Sequence, residues 1–421
     1  MNNKEPGSLA ASGKPRIFYG YIIVAAGLII MLVIQGAFTS FGVFFNPIIS
    51  EFGWLRATIS GAPSIAFVFM GVGYIIMGAL SDRFSPRIAL TVGALTFGAG
   101  YLLMSQLGAV WQLYLFYPLV GMGVSASDVV ILSTIVRWFV KKRGIMTGIT
   151  KTGTGLGILI MPLLTSYFVA NYGWRSSYII LGILVMVITI TVSQFLRRTP
   201  EQMGLLPDGE LKMVESYSDM ASTGLSFAEA VRTRQLWMTC AAVLTMFCSS
   251  QIIVVHIIPH AIDNGIPELS AAGIMSIIGG TSILGRIVMG YANDRIGSRL
   301  ALTICCIIFV VSFIWLLWAK ELWMLYLFAL VYGFGHGGLF AIVSPLVATM
   351  FGTRSHGTLL GIVFCCAQTA GAIGPLLAGY IFDVTGSYQI AFFILIALSV
   401  IGLMISSALR PMVDVKAEIS D

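Results

Sequence analysis

The stretch GALSDRFSPR at residues 78–87 returns 212 residues later as GYANDRIGSR at residues 290–299. Both copies hold a glycine, an Asp-Arg pair and a final arginine at the same spacing, and both follow a long apolar run. LYLF at 113–116 likewise returns as LYLF at 325–328. The chain is therefore predicted to contain two related halves.

Apolar residues dominate both halves. Only 10% of the 421 residues are charged and 57% are hydrophobic, whereas a soluble domain carries about 25% charged residues. A helix needs about 20 mostly apolar residues to cross a bilayer. The chain contains twelve such stretches, at 17–46, 54–80, 87–105, 111–136, 144–171, 175–196, 235–262, 269–293, 299–319, 322–349, 357–383 and 387–408. We predict an all-α integral membrane protein with twelve transmembrane helices in two pseudo-symmetric six-helix bundles.

The boundaries of the halves follow from the polar segments. The predicted organisation is an N-terminal tail (1–16), a first bundle (17–196), a linker (197–234), a second bundle (235–408) and a C-terminal tail (409–421). The first apolar run is too long for the hydrophobic region of a removable signal peptide.

The basic residues are distributed unevenly between the two predicted membrane faces. Of the 24 Lys and Arg residues, 19 fall in the tails and in the loops on the same side as the tails. The opposite loops hold only Arg56, Arg175 and Lys320, while Lys151 and Arg286 fall inside spans. This asymmetry obeys the positive-inside rule and predicts that both termini are cytoplasmic. The net charge of +6 therefore reflects the topology of a protein in a lipid bilayer, and we expect no nucleic acid partner. The expected location is the plasma (inner) membrane.

Metal, cofactor and enzymatic chemistry find no support in the sequence. All six cysteines fall inside predicted spans, without zinc-ligand spacing, and as small buried hydrophobes they need no further role. The sequence contains neither a nucleophile–base motif nor a cofactor fingerprint. We therefore expect no enzyme activity, no metal and no cofactor.

The repeated Asp-Arg loop resembles the signature G-x-x-x-D-R-x-G-[RP]-[RK] of the major facilitator superfamily. Ser85 stands in place of the second glycine in the first copy. The resemblance implies a carrier whose substrate site lies between parallel six-helix repeats. It also implies that the Asp-Arg loops gate the conformational switch, and the gating residues are then Asp82, Arg83, Asp294 and Arg295.

A narrower resemblance concerns WFVKKRGIMTGITKTG at residues 138–153. Its aromatic-Phe start, basic triplet and glycines resemble the fifth-helix signature of the monocarboxylate transporter family, although Met and Thr replace small alanines. FYGY at 18–21 resembles the first-helix entry of bacterial oxalate/formate-type members. In this family an arginine on the eighth helix, four residues before a glycine, binds the substrate carboxylate. Arg286 precedes Gly290 by four residues, so the resemblance implies that role for Arg286.

Ionisable residues at bilayer depth are costly and indicate function. Arg286 lies eight residues before Asp294, or about 12 Å along the helix, and its guanidinium fork matches a carboxylate. Lys151 lies equally deep on the fifth helix. Asp128 is at a similar distance on the other side of the turn near residue 140, which predicts an Asp128–Lys151 ion pair.

Two arrangements of these charges remain open from the sequence. In one, Lys151 and Arg286 form a two-cation clamp for a dicarboxylate. In the other, Asp128 neutralises Lys151 and leaves Arg286 for a monocarboxylate, and the lower net charge inside the membrane favours it. Tyr74, the counterpart of Arg286 in the first half, is predicted to form the opposite wall.

Further candidates lie along the cavity and at its outer end. Tyr332, Ser282 and Thr152 are candidate binding residues. His256 and Asp263 share a face of the seventh helix and form a candidate proton-loading or gating site, although capping of a wet helix end explains such residues equally well. Many eukaryotic monocarboxylate transporters carry an acid four residues before the helix-eight arginine. Ser282 stands there, so Asp263 or Asp128 must carry any coupled proton.

The expected function is proton-coupled symport of a small carboxylate, a short monocarboxylate such as lactate or pyruvate, by alternating access. The alternative is an oxalate/formate-like anion antiporter that uses Lys151 and Arg286. A non-transporting membrane sensor is disfavoured because the sequence has no soluble signalling domain, and a toxic-compound exporter because intramembrane cations suit anionic cargo.

Overall fold

The structure is a computed structural model that describes residues 18–210 and 224–410. Eleven helical segments of this part of the chain are long and apolar enough to cross a membrane, and the first of them has a turn at Ser40. One of them, Arg143–Ser193, has 51 residues and is divided at Gly173, which gives the twelve predicted spans. They are α1 (Tyr19–Phe52), α2 (Arg56–Arg83), α3 (Pro86–Met104), α4 (Val110–Trp138), α5 (143–172), α6 (174–193), α7 (Arg234–Asp263), α8 (Glu268–Ile296), α9 (Ser298–Leu316), α10 (Leu322–Phe351), α11 (His356–Thr385) and α12 (Gln389–Ala408).

A single residue separates α5 from α6. Gly173 has φ 76° and ψ 162°, a conformation that only glycine adopts without strain. The two predicted spans are therefore present, but they are joined by a corner rather than by a loop.

The first helix extends beyond its predicted end at residue 46 and finishes at Phe52. The hydropathy falls at Asn46 and Pro47, yet the helix continues because its next turn is packed. Ile48, directly after Pro47, is fully buried, and the Phe52 ring contacts Trp174 of α6 with 6.3 Å between centroids. Tertiary packing thus overrides the local helix-breaking tendency of Pro47.

The two copies of the Asp-Arg loop turn by different means. In the second copy Gly297 takes φ 85°, which favours glycine. In the first copy Ser85 is extended, and its Oγ accepts a hydrogen bond from the Ile88 backbone N–H at the start of α3. Where the second copy turns through a glycine with positive φ, the first copy therefore uses Ser85 as a helix cap.

The halves touch most closely at the end of the bundle that carries the Asp-Arg loops, here called the motif side. A Cβ on Gly78 of α2 would lie 2.2 Å from the carbonyl oxygen of Gly357 on α11. In the same way, a Cβ on Gly144 of α5 would lie 2.2 Å from the carbonyl oxygen of Gly290 on α8. Small residues let helices approach to backbone contact in a membrane, so two equivalent glycine contacts close the motif side.

One turn further into the membrane the pattern repeats. A Cβ on Gly361 would lie 2.4 Å from the carbonyl oxygen of Tyr74, and one on Gly148 would lie 2.1 Å from that of Arg286. Tyr74 and Arg286 therefore occupy matching places in the two halves, in agreement with the internal repeat.

We expect Gly148→Ala to destabilise the protein by about 1–3 kcal/mol, because the added methyl group overpacks the α5–α8 contact. The measurement is the thermal unfolding temperature in detergent. Gly42→Ala is the control, since no described atom lies within 4 Å of a Cβ at that position. Equal unfolding temperatures for the two variants would show that α5 and α8 do not approach this closely.

Candidate functional site

Asp128 of α4 and Lys151 of α5 form an ion pair near the middle of the first bundle. The Lys151 Nζ lies 2.5 Å from the Asp128 Oδ1, and the two side chains are 4% and 8% exposed. The ion pair predicted from the sequence is therefore present. Its burial means that neither charge can be left alone without a large desolvation cost.

Two further groups donate to the same carboxylate. The Gln35 Nε2 of α1 and the Tyr74 hydroxyl of α2 each lie 3.0 Å from the Asp128 Oδ2. Asp128 thus gathers donors from three other helices of the first half. Tyr74 was a sequence candidate, whereas Gln35 was missed, although an amide within an apolar span was a usable signal.

Arg286 of α8 lies beside this pair and belongs to the second half. Its Nη1 donates to the backbone carbonyl of Lys151 at 2.7 Å, which joins α8 to α5. The residue is 5% exposed and its buried Nε has no hydrogen-bond partner. Within the described part of the chain no carboxylate lies within ion-pair distance of Arg286.

Aromatic rings of the second half cover both cations. The Lys151 Nζ lies 5.4 Å from the centroid of the Phe340 ring, and the Arg286 Cζ lies 5.7 Å from the same centroid. Phe364 lies 5.9 Å from the Lys151 Nζ. Cations at these distances are attracted to the ring face. Neither phenylalanine was predicted, because aromatic residues are ordinary membrane-helix content.

The central charge cluster, defined as Asp128, Lys151 and Arg286, holds two cations and one anion. Of these two cations, only Lys151 lies within ion-pair distance of the Asp128 carboxylate. The cluster therefore carries one net positive charge, and the unsatisfied part of that charge lies on Arg286.

The three remaining binding candidates occupy different surroundings. Ser282 lies one turn from Arg286, and its buried Oγ has no partner. The Thr152 hydroxyl donates to the Ile149 carbonyl of its own helix at 2.6 Å. Tyr332 is fully buried against the rings of Phe309, Phe313 and Phe328. In this structure the Tyr332 ring packs in the interior of the second half, and its part in binding stays a prediction.

The outer candidates are only partly brought together. The His256 Nε2 donates to the Pro375 carbonyl at 2.9 Å, which leaves Nδ1 to accept from the Tyr388 hydroxyl at 3.2 Å. Tyr388 also contacts the ring of His260. Asp263 is exposed at the end of α7. His256 thus links α7 to α11 and α12, whereas Asp263 makes no hydrogen bond within the described chain.

The face of α8 that holds Arg286 becomes more exposed away from the motif side. Gly290 and Arg286 are buried, Ile283 is half-buried and Gly279 is exposed. A Cβ on Gly279 would meet no described atom within 4 Å. Because these positions share one helix face, we infer that the cluster is closed on the motif side and approached from the opposite end.

Asp82 closes the motif side from the first half. Its Oδ1 accepts from the Arg137 Nη2 at 2.6 Å and from the Gly357 N–H at 3.1 Å. Its Oδ2 accepts from the N–H and hydroxyl of Thr358 at 2.8 and 2.9 Å. The carboxylate therefore caps the N-terminus of α11, a helix of the other half, where a negative charge is stabilising.

Asp294 makes the equivalent contact from the second half. Its two oxygens accept from the N–H groups of Gly144 and Ile145 at 2.5 and 2.9 Å, at the N-terminus of α5. Arg83 and Arg295, in contrast, are exposed and lie over the rings of neighbouring residues of their own helix ends. Among the four gating candidates only the aspartates join the halves.

We expect Asp82→Asn to lower the free energy of unfolding by about 3 kcal/mol, because it leaves the buried Arg137 without its anion. Asp294→Asn is the matched variant. Asn caps a helix nearly as well as Asp and no arginine depends on Asp294, so we expect a much smaller loss. Arg83→Gln, at an exposed site, should change stability by less than about 0.5 kcal/mol. Thermal unfolding in detergent measures all three, and equal losses at Asp82 and Asp294 would contradict the role given to Arg137.

Comparison with known proteins shows the family to which the chain is related. The family model of the Major Facilitator Superfamily matches residues 27–319 and 261–418. Monocarboxylate transporter 13 of Rattus norvegicus is 26% identical over 380 residues, which cover 89% of this chain and 85% of that protein. The oxalate:formate antiporter of Oxalobacter formigenes is 26% identical over 384 residues, which cover 89% and 87%.

Solved structures show the same fold. The human organic anion transporter MFSD10 superposes with a TM-score of 0.71 at 16% identity, over 92% of this chain and 99% of that one. The transporter FucP in its outward conformation gives a TM-score of 0.69 at 13% identity, over 93% and 100%. At these identities the likeness concerns the fold alone.

Proposed function

The chain belongs to the Major Facilitator Superfamily and is a multi-pass membrane transporter rather than an enzyme, and on that premise we propose that it carries short monocarboxylates in symport with protons. The observation that carries the proposal is the buried Arg286, whose charge has no carboxylate partner in the described chain. The chain's relationship to monocarboxylate transporters and to an oxalate:formate antiporter supports a carboxylate cargo.

The chemistry of Arg286 favours a carboxylate. A guanidinium offers parallel donors that match the two oxygens of a carboxylate, and the bond is strengthened where water is excluded. The Nε of Arg286 is buried and unpartnered. A carboxylate bound there would satisfy this donor and neutralise the central charge cluster.

The charge of the cluster favours a monoanion. Lys151 is already neutralised by Asp128 at 2.5 Å, so a single carboxylate balances the remaining charge. While Asp128 is ionised, a dicarboxylate would leave one excess negative charge in a bilayer-depth site, which is unfavourable.

Asp128 is the proposed proton carrier. It contacts Lys151 directly, whereas Asp263 is exposed at the end of α7. Protonation of Asp128 would release Lys151 to share the substrate carboxylate with Arg286. The cluster then carries the same net charge when it is empty and when it holds both proton and monoanion, while either ion alone changes that charge. If the halves can move only while the cluster keeps this net charge of +1, the proton and the monoanion must cross the membrane together.

The switch between states would break the glycine contacts and the two aspartate caps on the motif side. The positive-inside distribution of Lys and Arg supports a cytoplasmic motif side, with the two bundles at 17–196 and 235–408 moving against each other and both termini in the cytoplasm. On this proposal the structure is the outward-facing state, in the plasma (inner) membrane.

A second candidate function is anion antiport. Lys151 and Arg286 lie over the same Phe340 ring, at 5.4 and 5.7 Å, so both cations can reach a ligand placed beside that ring. This arrangement would suit oxalate in exchange for formate. It requires the substrate to displace Asp128 from Lys151, which is why we rank it second.

We expect purified protein in proteoliposomes to take up labelled lactate or pyruvate when an inward proton gradient is imposed. Arg286→Gln should reduce this uptake by about 10- to 100-fold, because a hydrogen bond to a charged group contributes about 1.5–3 kcal/mol. Lys320→Gln, which removes a positive charge from an exposed loop, is the charge-matched control and should retain uptake. Equal uptake by Arg286→Gln and wild type would falsify the anchoring role.

The same vesicles separate the two candidate functions. If the protein is an antiporter, oxalate uptake requires internal formate, needs no proton gradient and is lost in Lys151→Met. If the protein moves none of these anions under either condition, the proposed carboxylate cargo is wrong.

A further inference from the structure

A cavity of about 350 Å³ lies on the motif side, apart from the central charge cluster. Its walls come from the end of α4, the start of α5, the beginning of the linker and the loop between α10 and α11. Residues of both halves therefore line it, for example Arg137 from the first half and Arg354 from the second.

The lining is strongly basic. Four arginines contribute to it, against one glutamate, Glu201; the arginines are Arg137, Arg143, Arg198 and Arg354. Burial, and then the positive charge of Arg137, lower the pKa of the Arg198 guanidinium. The arginines thus repel one another, and an anion placed among them would relieve that repulsion.

Arg137 points to an anion independently of this charge count. Its side chain is only 5% exposed, and its Nη2 is engaged by Asp82 and by the Thr353 carbonyl. Its Nη1 is buried without any hydrogen-bond partner. An unsatisfied buried donor is costly. Arg137, which lines the cavity, therefore holds a donor for which an acceptor would be stabilising.

We propose that this cavity binds a phosphate-type oxyanion, either a soluble phosphate or the phosphate of a lipid headgroup. Arginine forks pair with phosphate oxygens in the same bidentate manner as with carboxylates. The cavity has the size of a small-molecule site. Arginines outnumber acidic side chains in the lining, so a dianionic phosphate neutralises more of this excess charge than a monocarboxylate does, which distinguishes this ligand from the proposed cargo.

The bound oxyanion would join Arg137, Arg143 and Arg198 to Arg354 across the boundary between the halves. It would therefore stabilise the conformation that is closed on the motif side, and it must leave before that side opens. The site would act as a brake on the transport cycle, whatever the transported solute.

Thermal unfolding of the full chain in detergent tests the proposal without any transport assay. We expect sodium phosphate to raise the unfolding temperature beyond the effect of sodium chloride at equal ionic strength, since a ligand of the folded state stabilises it. Arg198→Gln and Arg354→Gln should each weaken the apparent phosphate affinity by about tenfold, as expected for the loss of one charged hydrogen bond.

Two control variants remove neighbouring arginines that do not line the cavity. Arg197→Gln matches Arg198→Gln, and Arg232→Gln matches Arg354→Gln, and both should keep the full phosphate response. The proposed site is wrong if phosphate does not raise the unfolding temperature beyond the effect of chloride. It is also wrong if the control variants lose the phosphate response as much as the cavity variants do. A loss confined to Arg198→Gln overturns the bridging of the two halves.

Nanodiscs distinguish the two phosphate sources. If lipid phosphate fills the cavity, phosphatidic acid in phosphatidylcholine discs raises the unfolding temperature and abolishes the response to added phosphate. If soluble phosphate is the ligand, the response is the same with and without phosphatidic acid. In both cases the dependence on Arg198 and Arg354 must persist, and its absence contradicts the proposal.

Discussion

Two cations lie buried at one point of an apolar bundle, and the free energy of keeping them there constrains the surrounding structure. Asp128 offsets the charge of Lys151, and Gln35 and Tyr74 satisfy the remaining oxygen of Asp128. Arg286 donates to the Lys151 carbonyl. Helices α1, α2, α4 and α5 of the first half therefore meet α8 of the second at a single cluster, and any movement of the halves must change its contacts.

The two halves share their glycine contacts and aspartate caps but differ in their buried charged residues. Gly78 and Gly144 make equivalent contacts across the halves, and Asp82 and Asp294 make equivalent caps. Tyr74, however, stands where the second half has Arg286. Asp82 also holds the buried Arg137, whereas the partners of Asp294 among the described residues are backbone N–H groups and the neighbouring amide of Asn293. The unequal residues are those to which we assign binding, coupling and the anion site.

Local signals were sufficient for much of the fold and for the central ion pair. Twelve apolar runs and a repeated loop predicted the helices, and equal distances from the turn near residue 140 predicted the contact of Asp128 with Lys151.

The features that depend on packing between distant helices were missed. The predicted end of α1 at residue 46 came too early because the burial of Ile48 and the contact of Phe52 with Trp174 depend on other helices. Phe340 was missed because nothing in its own helix separates it from lipid-facing aromatics. The arginine cavity draws on residues from 137 to 354, which only the closed motif side brings together.

We propose that Asp128 couples one proton to one carboxylate through Lys151, and a comparison of two transport modes in Asp128→Asn tests this role. An amide mimics the protonated carboxyl, so we expect this variant still to exchange labelled for unlabelled monocarboxylate across proteoliposomes but no longer to accumulate it under a proton gradient. Wild type should do both, and its accumulation should not respond to membrane potential. Proton-driven accumulation by Asp128→Asn at the wild-type level would show that Asp128 is not the proton carrier.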